Sequence, residues 1–563
     1  MVIPAGFTPN ANVAASALPP DIAPLLDQWR FEQGAGANSP ADPLREARFV
    51  LNFPKSNQPA DERVAQSIAG LTALTVSVGP LFEPDVELNR HRLLRIPNVS
   101  RLERSDMFDI ARVLRHAAGA ETVEPDLGTN YYQWDGLPQD RGPESADNVF
   151  WCWAGESDKP VDPDWAINST KVPQAWALSE EQGRPARGLG IRIFQPDTGV
   201  VEAHPELPAG LLSNPGAISL LEPNQPPIDP MRGGSNKGHG TGTGSVVASP
   251  EGGRMRGVAP LATLVPVRCL ESVAVFEQSN VARAIDHARR NGAHVITMSL
   301  GGVFSEALHS AVRKAYDANI IVLAAAGNCV GTVVWPARYE EAVAVGGINS
   351  SFKPWRGSSH GDAVAVSGPA EFVLRADPRI PADPGSVSGG QGTSFATAHL
   401  AGLAGLWLAH YGRDALIASL PPGVKLQSVF VNIARRSAVV PPDFDTGEYG
   451  AGIVDAVGLL RIDPSSALGH ESVFSTRRSD VRHQLAELLA ETTGAGGLEA
   501  AAPALGDMQN AAELACIAFD RLRAKQSRRA AVEAMPPIST STGLRQVLGQ
   551  KGTELVRAGA AGA

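Results

Sequence analysis

Gly390-Gln391-Gly392-Thr393-Ser394-Phe395-Ala396-Thr397-Ala398-His399-Leu400-Ala401-Gly402 decides how the rest of the chain is read. A glycine-rich turn delivers a serine to the start of an apolar helix. Upstream, Gly238-His239-Gly240-Thr241-Gly242-Thr243-Gly244-Ser245-Val246-Val247-Ala248 opens a second, glycine-rich helix on a histidine. Further upstream, Phe194-Gln195-Pro196-Asp197-Thr198-Gly199-Val200 ends a strand on a carboxylate, at the edge where α/β sheets place their sites. The three side chains suit one chemistry. A serine hydroxyl is a weak nucleophile and needs a base. Neutral imidazole is the natural base near neutral pH. A buried carboxylate fixes the imidazole tautomer and stabilises the imidazolium as it forms. A helix N-terminus at Ser394 favours negative charge developing on an attacked carbonyl.

Outward from these motifs, residues 165–460 alternate β-branched strands with helices. Strands are expected at 189–194, 264–267, 295–298, 320–324 and 342–345, with helices at 281–291 and 305–318 among them. This alternation predicts an α/β fold, a parallel sheet flanked by helices. Residues 45–126 read differently. A strand at 48–53 is followed by a helix at 60–74 with Val64, Ile68 and Leu71 at helical spacing. Strands at 74–78 and 91–96, a helix capped by Ser105 and running to 116, and a strand at 121–124 complete the order β-α-β-β-α-β. That order is the ferredoxin-like α+β plan. Residues 1–44 are Ala-, Pro- and Asn-rich and read as a flexible leader, with Leu25, Leu26 and Trp29 as the residues able to dock. Residues 127–164 read as a linker and the start of the next domain. Residues 461–563 read as an α-helical C-terminal extension of unknown role, with helices at 481–491 and 507–534 and a disordered Gly/Ala tail after Arg557. Its five basic residues between Arg521 and Arg529 read as a solvated helix face.

Composition sets the limits. The 563 residues are 43% hydrophobic and 19% charged, with a net charge of -10. Such a chain forms a core and gives no general reason to expect nucleic acid or an anionic membrane as partner. The four cysteines, Cys152, Cys269, Cys329 and Cys516, show no CxxC spacing and make no disulfide scaffold. No apolar run reaches the ~18 residues of a membrane span, and prolines interrupt any secretory signal at the N-terminus. A soluble, cytoplasmic protein is the expectation, with secretion as the alternative. Oligomeric state is not legible.

The chain order Asp197, His239, Ser394 is that of the subtilisins, not of the α/β-hydrolases or the chymotrypsin-like enzymes. Here the sequence resembles the subtilisin-like serine proteases (subtilases, peptidase S8 family). The resemblance covers about 165–460 and includes four further motifs. Val295-Ile296-Thr297-Met298-Ser299-Leu300-Gly301-Gly302 looks like the family's substrate-pairing strand, so Ser299, Leu300 and Gly301 are implied to bind substrate. Ala325-Ala326-Gly327-Asn328 looks like its oxyanion segment, with Asn328 as side-chain donor. Gly257-Val258-Ala259-Pro260 and Tyr449-Gly450-Ala451-Gly452-Ile453-Val454-Asp455-Ala456 match structural landmarks. The resemblance implies a serine endopeptidase with an Asp197-His239-Ser394 triad and an acyl-enzyme, acting on polypeptides. It implies that residues 45–126 are an inhibitory propeptide, a partner of its own catalytic domain, with self-cleavage within 127–150. It allows calcium, though no acidic loop is dense enough to mark a metal site, and no other cofactor is expected.

The sequence also departs from the family pattern. Pro196 precedes Asp197, so the strand is expected to end or bend there. Phe395 and Ala398 replace a usual Met and Pro, and the histidine helix is unusually glycine-rich. None of these deletes a reacting group. His399 reads as a packing residue and Cys329 as a small buried thiol. The sequons at Asn98, Asn168 and Asn349 carry meaning only with export. The alternatives are a non-catalytic scaffold that binds a partner protein, and an enzyme that cuts only itself or one partner.

Overall fold

The structure, a computed structural model, describes residues 22–35, 45–99, 103–127, 157–231, 236–275, 277–380, 382–468, 481–529 and 539–558. The chain divides into two compact units, Met1–Leu127 with Thr493–Ile517 and Pro537–Ala563, and Gly128–Thr492 with Ala518–Pro536.

The first unit begins with α1 (Ala23–Ala35), β1 (Arg45–Asn52), α2 (Asp61–Thr72), β2 (Ser77–Pro80), β3 (His91–Val99), α3 (Arg104–Ala118) and β4 (Thr122–Pro125). The strands form an antiparallel sheet in the order β2-β3-β1-β4, as the split βαβ plan requires. The helical spacing holds for Met107, Ile110 and Leu114 of α3 and for Val64 and Ile68 of α2, which are buried, but Leu71 is only half-buried and Thr72 takes the third buried place in α2. Several boundaries differ from expectation, and two of the differences have a visible cause. The N-cap of α3 is Glu103, not Ser105, and its N–H donates to the Asp106 carboxylate at 3.2 Å, half of a capping box. Strand β2 starts at Ser77 because the left-handed Ala73 (φ 53) ends α2 and turns Leu74 into the core. The flexible-leader reading is corrected for the described part. In α1, Leu26 and Trp29 are fully buried, and the Trp29 ring centroid lies 6.4 Å from that of Phe49. Burying such side chains stabilises by roughly 1.5–3 kcal/mol each, enough to offset much of the ordering of a short helix. Residues 1–21 and 36–44 lie outside the described residues.

The second unit carries α4 (Trp165–Ser169), α5 (Val172–Glu181), β5 (Arg192–Asp197), β6 (Ile218–Ser219), α6 (His239–Ala248), β7 (Thr263–Arg268), β8 (Ala274–Val275), α7 (Gln278–Arg290), β9 (Val295–Met298), β10 (Gly301–Gly302), α8 (Glu306–Asp317), β11 (Ile321–Ala325), β12 (Val343–Ile348) and β13 (Val364–Pro369). It continues with β14 (Val373–Ala376), β15 (Val387–Gly390), α9 (Thr393–Tyr411), α10 (Arg413–Ala418), α11 (Leu426–Ser437) and α12 (Ala456–Arg461). Seven strands form a parallel sheet in the order β13-β12-β11-β9-β5-β7-β6, flanked by helices. The five expected strands are its centre, and β6 and β13 close its edges. Helix α9 packs on β9, β11, β12 and β13 and is buried from Thr393 to His410.

Pro196 does not end its strand. β5 stays paired with β7 through Pro196↔Val267 and Asp197↔Arg268. The Cys269 N–H donates to the Asp197 carbonyl at 3.0 Å, so Asp197 faces β7 and Pro196, one residue earlier, faces β9. Pairing with β9 has already stopped at Phe194↔Ile296. The missing proline N–H therefore falls where no ladder bond is required.

The C-terminal region holds α13 (Val481–Leu505), α14 (Ala511–Arg529) and α15 (Thr542–Ala558). Helix α13 runs past the expected 491, and α15, kinked at Gly549 (φ 66), was not expected. In the second unit, Trp335 Nε1–H donates to Gln484 at 3.2 Å and the Phe519 ring meets Trp335 edge-on. Arg521 is buried, contrary to the solvated-face reading, and burial lowers its guanidinium to about 10. The other four basic side chains of that run, and the tail after residue 558, lie outside the described residues. Among the described residues no helix is long and apolar enough to cross a membrane.

Candidate active site

Asp197 ends β5 and is buried; His239 is the first residue of α6, preceded by Gly238 in the left-handed region (φ 72). The His239 Nδ1 lies 2.8 Å from Asp197 Oδ1 and 3.1 Å from Oδ2. Thr198 N–H donates to Oδ1 at 2.7 Å. The Thr243 hydroxyl lies 3.2 Å from Oδ2 and 3.1 Å from the His239 carbonyl, and accepts from Gln195 Nε2 at 2.7 Å. The helix comes this close because of its glycines. A Cβ on Gly240 would press into the Gly199 carbonyl oxygen, far inside van der Waals contact. Sequence reasoning missed Asp229, which lies in a proline-rich loop with no local motif. Its Oδ2 accepts from Thr198 Oγ1 and from Gly238 N–H, both at 2.9 Å. One carboxylate thus ties the turn after Asp197 to the residue before His239.

Ser394 is the second residue of α9, with its Oγ 3.4 Å from the Ser299 carbonyl; Ser299 Oγ–H donates back to the Ser394 carbonyl at 2.8 Å. The preceding Gly392 has φ 144, where only glycine is at ease. A Cβ there would lie 3.2 Å from Asn328 Nδ2 and 3.7 Å from Ser394 N. The Asn328 amide and the Ser394 N–H therefore border the same small space. The amide is oriented by Thr393, whose N–H and Oγ1–H both donate to Asn328 Oδ1, at 2.9 and 2.8 Å. With the oxygen engaged, Nδ2 is left toward Gly392.

Ser299 and Leu300 follow β9 and are buried. Gly301 opens β10, which pairs parallel with β8, and its N–H donates to the Val273 carbonyl at 3.0 Å. The edge expected to receive substrate thus has an internal partner at Gly301.

The remaining singled-out residues fall outside this chemistry. His399 is fully buried, its Nε2 2.8 Å from Thr170 Oγ1, and burial lowers it to about 3. Burial, and then the Asp197 charge, push the Cys269 thiol up. Cys329 is disulfide-bonded, which corrects its reading as a thiol. Neither Cys269 nor Cys516 forms a disulfide. Among the described residues no cluster of three or more His, Cys, Asp or Glu is arranged to hold a metal ion.

Residues 190–452 match the model of the subtilase family. Thermitase of Thermoactinomyces vulgaris is 33% identical over 247 residues, a match that spans 44% of this chain and 81% of thermitase. The chain belongs to the subtilase family. Subtilisin E of Bacillus subtilis (strain 168) is 34% identical over 231 residues, 40% of this subtilase and 57% of the relative. M-protease of Shouchella clausii is 31% identical over 304 residues, 53% and 70% of the two chains. Two solved structures are similar. MycP1 from Mycobacterium smegmatis has a TM-score of 0.44 and 20% identity, covering 57% of this chain and 91% of that one. The prenylagaramide maturation protease PagA has a TM-score of 0.40 and 23% identity, covering 51% and 96%. By its family and curated relatives, this subtilase is a serine endopeptidase, a hydrolase with polypeptide substrates.

Proposed function

We propose that Asp197, His239 and Ser394 are the triad and that the protein is made as a self-processed zymogen. The observation that carries the triad is the buried His239–Asp197 pair at 2.8 Å. In this reading Ser394 Oγ attacks the scissile carbonyl and His239 takes its proton, held in the correct tautomer by Asp197. Asn328 Nδ2 and the Ser394 N–H stabilise the oxyanion. The C–N bond breaks as His239 returns the proton to the leaving amine. Water, deprotonated by His239, then attacks the acyl ester and releases Ser394. An extended substrate lies along Ser299, Leu300 and Gly301 and exchanges the Gly301–Val273 bond for its own. The ferredoxin-like order of 45–126 supports the propeptide reading, with the cut inside 127–150; residues 128–150 lie outside the described residues. The Cys329 disulfide supports export, the alternative to the cytoplasm, because disulfides persist in oxidising compartments.

The test is casein hydrolysis and intact mass, wild type beside Ser394→Ala. Loss of hydrolysis and of self-cleavage in the variant is expected. Undiminished hydrolysis would overturn the triad; an uncut wild type that hydrolyses casein would overturn only the zymogen reading.

A further inference from the structure

Helix α3 of the N-terminal domain carries three charged residues at intervals of three, Asp109, Arg112 and Arg115, and the C-terminal region of the chain engages each of them. Asp109 is only 4% exposed, and its two carboxylate oxygens accept the N–H groups of Thr542 and Gly543, both at 2.8 Å. It thereby caps α15, a helix more than four hundred residues away in sequence. Arg112 pairs with Glu513 at 3.1 Å, and Glu513, 2% exposed, also accepts from the N–H and Oγ–H of Ser541 at 2.6 and 2.8 Å. Arg115 pairs with Asp507 at 2.7 Å. On the sheet, Gln509 treats the edge strand β4 as a pairing strand would. Its Oε1 accepts the Val123 N–H at 2.8 Å and its Nε2–H donates to the Val123 carbonyl at 2.7 Å, covering part of the sheet's edge. Leu514, Ile517 and Leu544 are fully buried in the same unit. With the N-terminal domain away from this region, Asp109 would lose the N–H groups of Thr542 and Gly543, and Glu513 would keep Ser541 but lose the Arg112 cation.

We infer that residues 493–517 and 541–558 are the seat of the N-terminal domain, which they hold independently of the peptide connection through residues 128–156. The chain passes from the first unit to the second after Leu127, between Thr492 and Thr493, between Ile517 and Ala518, and between Pro536 and Pro537. A cut in 127–150 severs one of these passages and leaves three. The regulatory meaning rests on the zymogen reading. Processing then yields a two-piece enzyme that keeps its inhibitor-like domain tethered at high effective concentration. Freeing that domain takes a second event, the loss of the C-terminal seat.

The experiment uses the full chain carrying Ser394→Ala and a site-specific protease sequence inserted within 128–150, so the cut does not depend on self-processing. After cutting, the N-terminal fragment is expected to co-elute with the remainder in native size exclusion; elution as a separate small fragment would overturn the inference. Charge reversal tells this seat from retention elsewhere. Arg115→Glu is expected to speed loss of the fragment on dilution by about two- to fivefold, and Arg115→Glu with Asp507→Arg to restore it. Arg112→Ala, which leaves Glu513 buried without its cation, should speed loss at least about tenfold. Unchanged retention in both variants would place the holding contacts elsewhere and overturn the inference.

Discussion

Thr243 and Asn328 show what single side chains contribute. Thr243 sits between Gln195, the His239 carbonyl and Asp197. A hydrogen bond of this kind is worth about 0.5–1.5 kcal/mol, so Thr243→Val should lower kcat by about 2–10-fold with KM nearly unmoved. A change in KM alone would place Thr243 outside the triad's support. Losing the Asn328 amide should reduce kcat by about 10²–10³, a magnitude carried over from subtilisin itself, where such a donor was removed. Single-turnover kinetics of Asn328→Ala check it. At this scale the sequence was legible where a residue sits in a motif: Asp197 and His239, each singled out from its own motif, lie 2.8 Å apart. Asp229 was not legible, because its role depends on a loop folding back onto two distant backbone groups. The disulfide state of Cys329 was equally hidden, since no local spacing marks its partner.

Elements were legible where periodicity carried them and illegible where a partner decided them. The alternation of residues 165–460 announced the parallel sheet, and helical spacing announced α2 and α3. Pro196 misled because its effect depends on which neighbour the missing N–H faces, and that is settled by the register of β9. Helices α1 and α15 were missed or doubted because each is held by partners in other segments, Phe49 for α1 and Asp109 for α15. The closeness of α6 to β5 gives a prediction at this scale. Gly240→Ala forces a Cβ into the Gly199 carbonyl and should destabilise by about 1–3 kcal/mol, with a matching loss of activity. Gly70→Ala, in α2 with open space around it, should be neutral or stabilising by up to about 1 kcal/mol. Urea melts of the two variants in the Ser394→Ala background read the contrast, and equal effects would contradict the packing account.

Across the molecule, three histidines of the catalytic unit are kept neutral. Burial lowers His399 to about 3; burial, with Arg184 beside it, lowers His410 to about 4; burial, with Arg413 and Arg192, lowers His294 to about 4. In the unfolded chain each titrates near ~6.5. Between those values the unfolded state binds protons that the folded state does not. Their contribution is therefore complete above about pH 6.5 and falls as pH drops toward about 4, by up to about 1.4 kcal/mol per pH unit for each histidine. Urea midpoints of the Ser394→Ala protein should fall between pH 7 and pH 5, and a flat profile would contradict this burial. The central claim, that Ser394 is the nucleophile activated by His239 and Asp197, is tested most directly by labelling the wild-type protein with a serine-reactive phosphonate and mapping the adduct by peptide mass. The account predicts a single adduct on Ser394 that is lost in His239→Ala. No adduct on an active preparation, or an adduct on another serine, would contradict it.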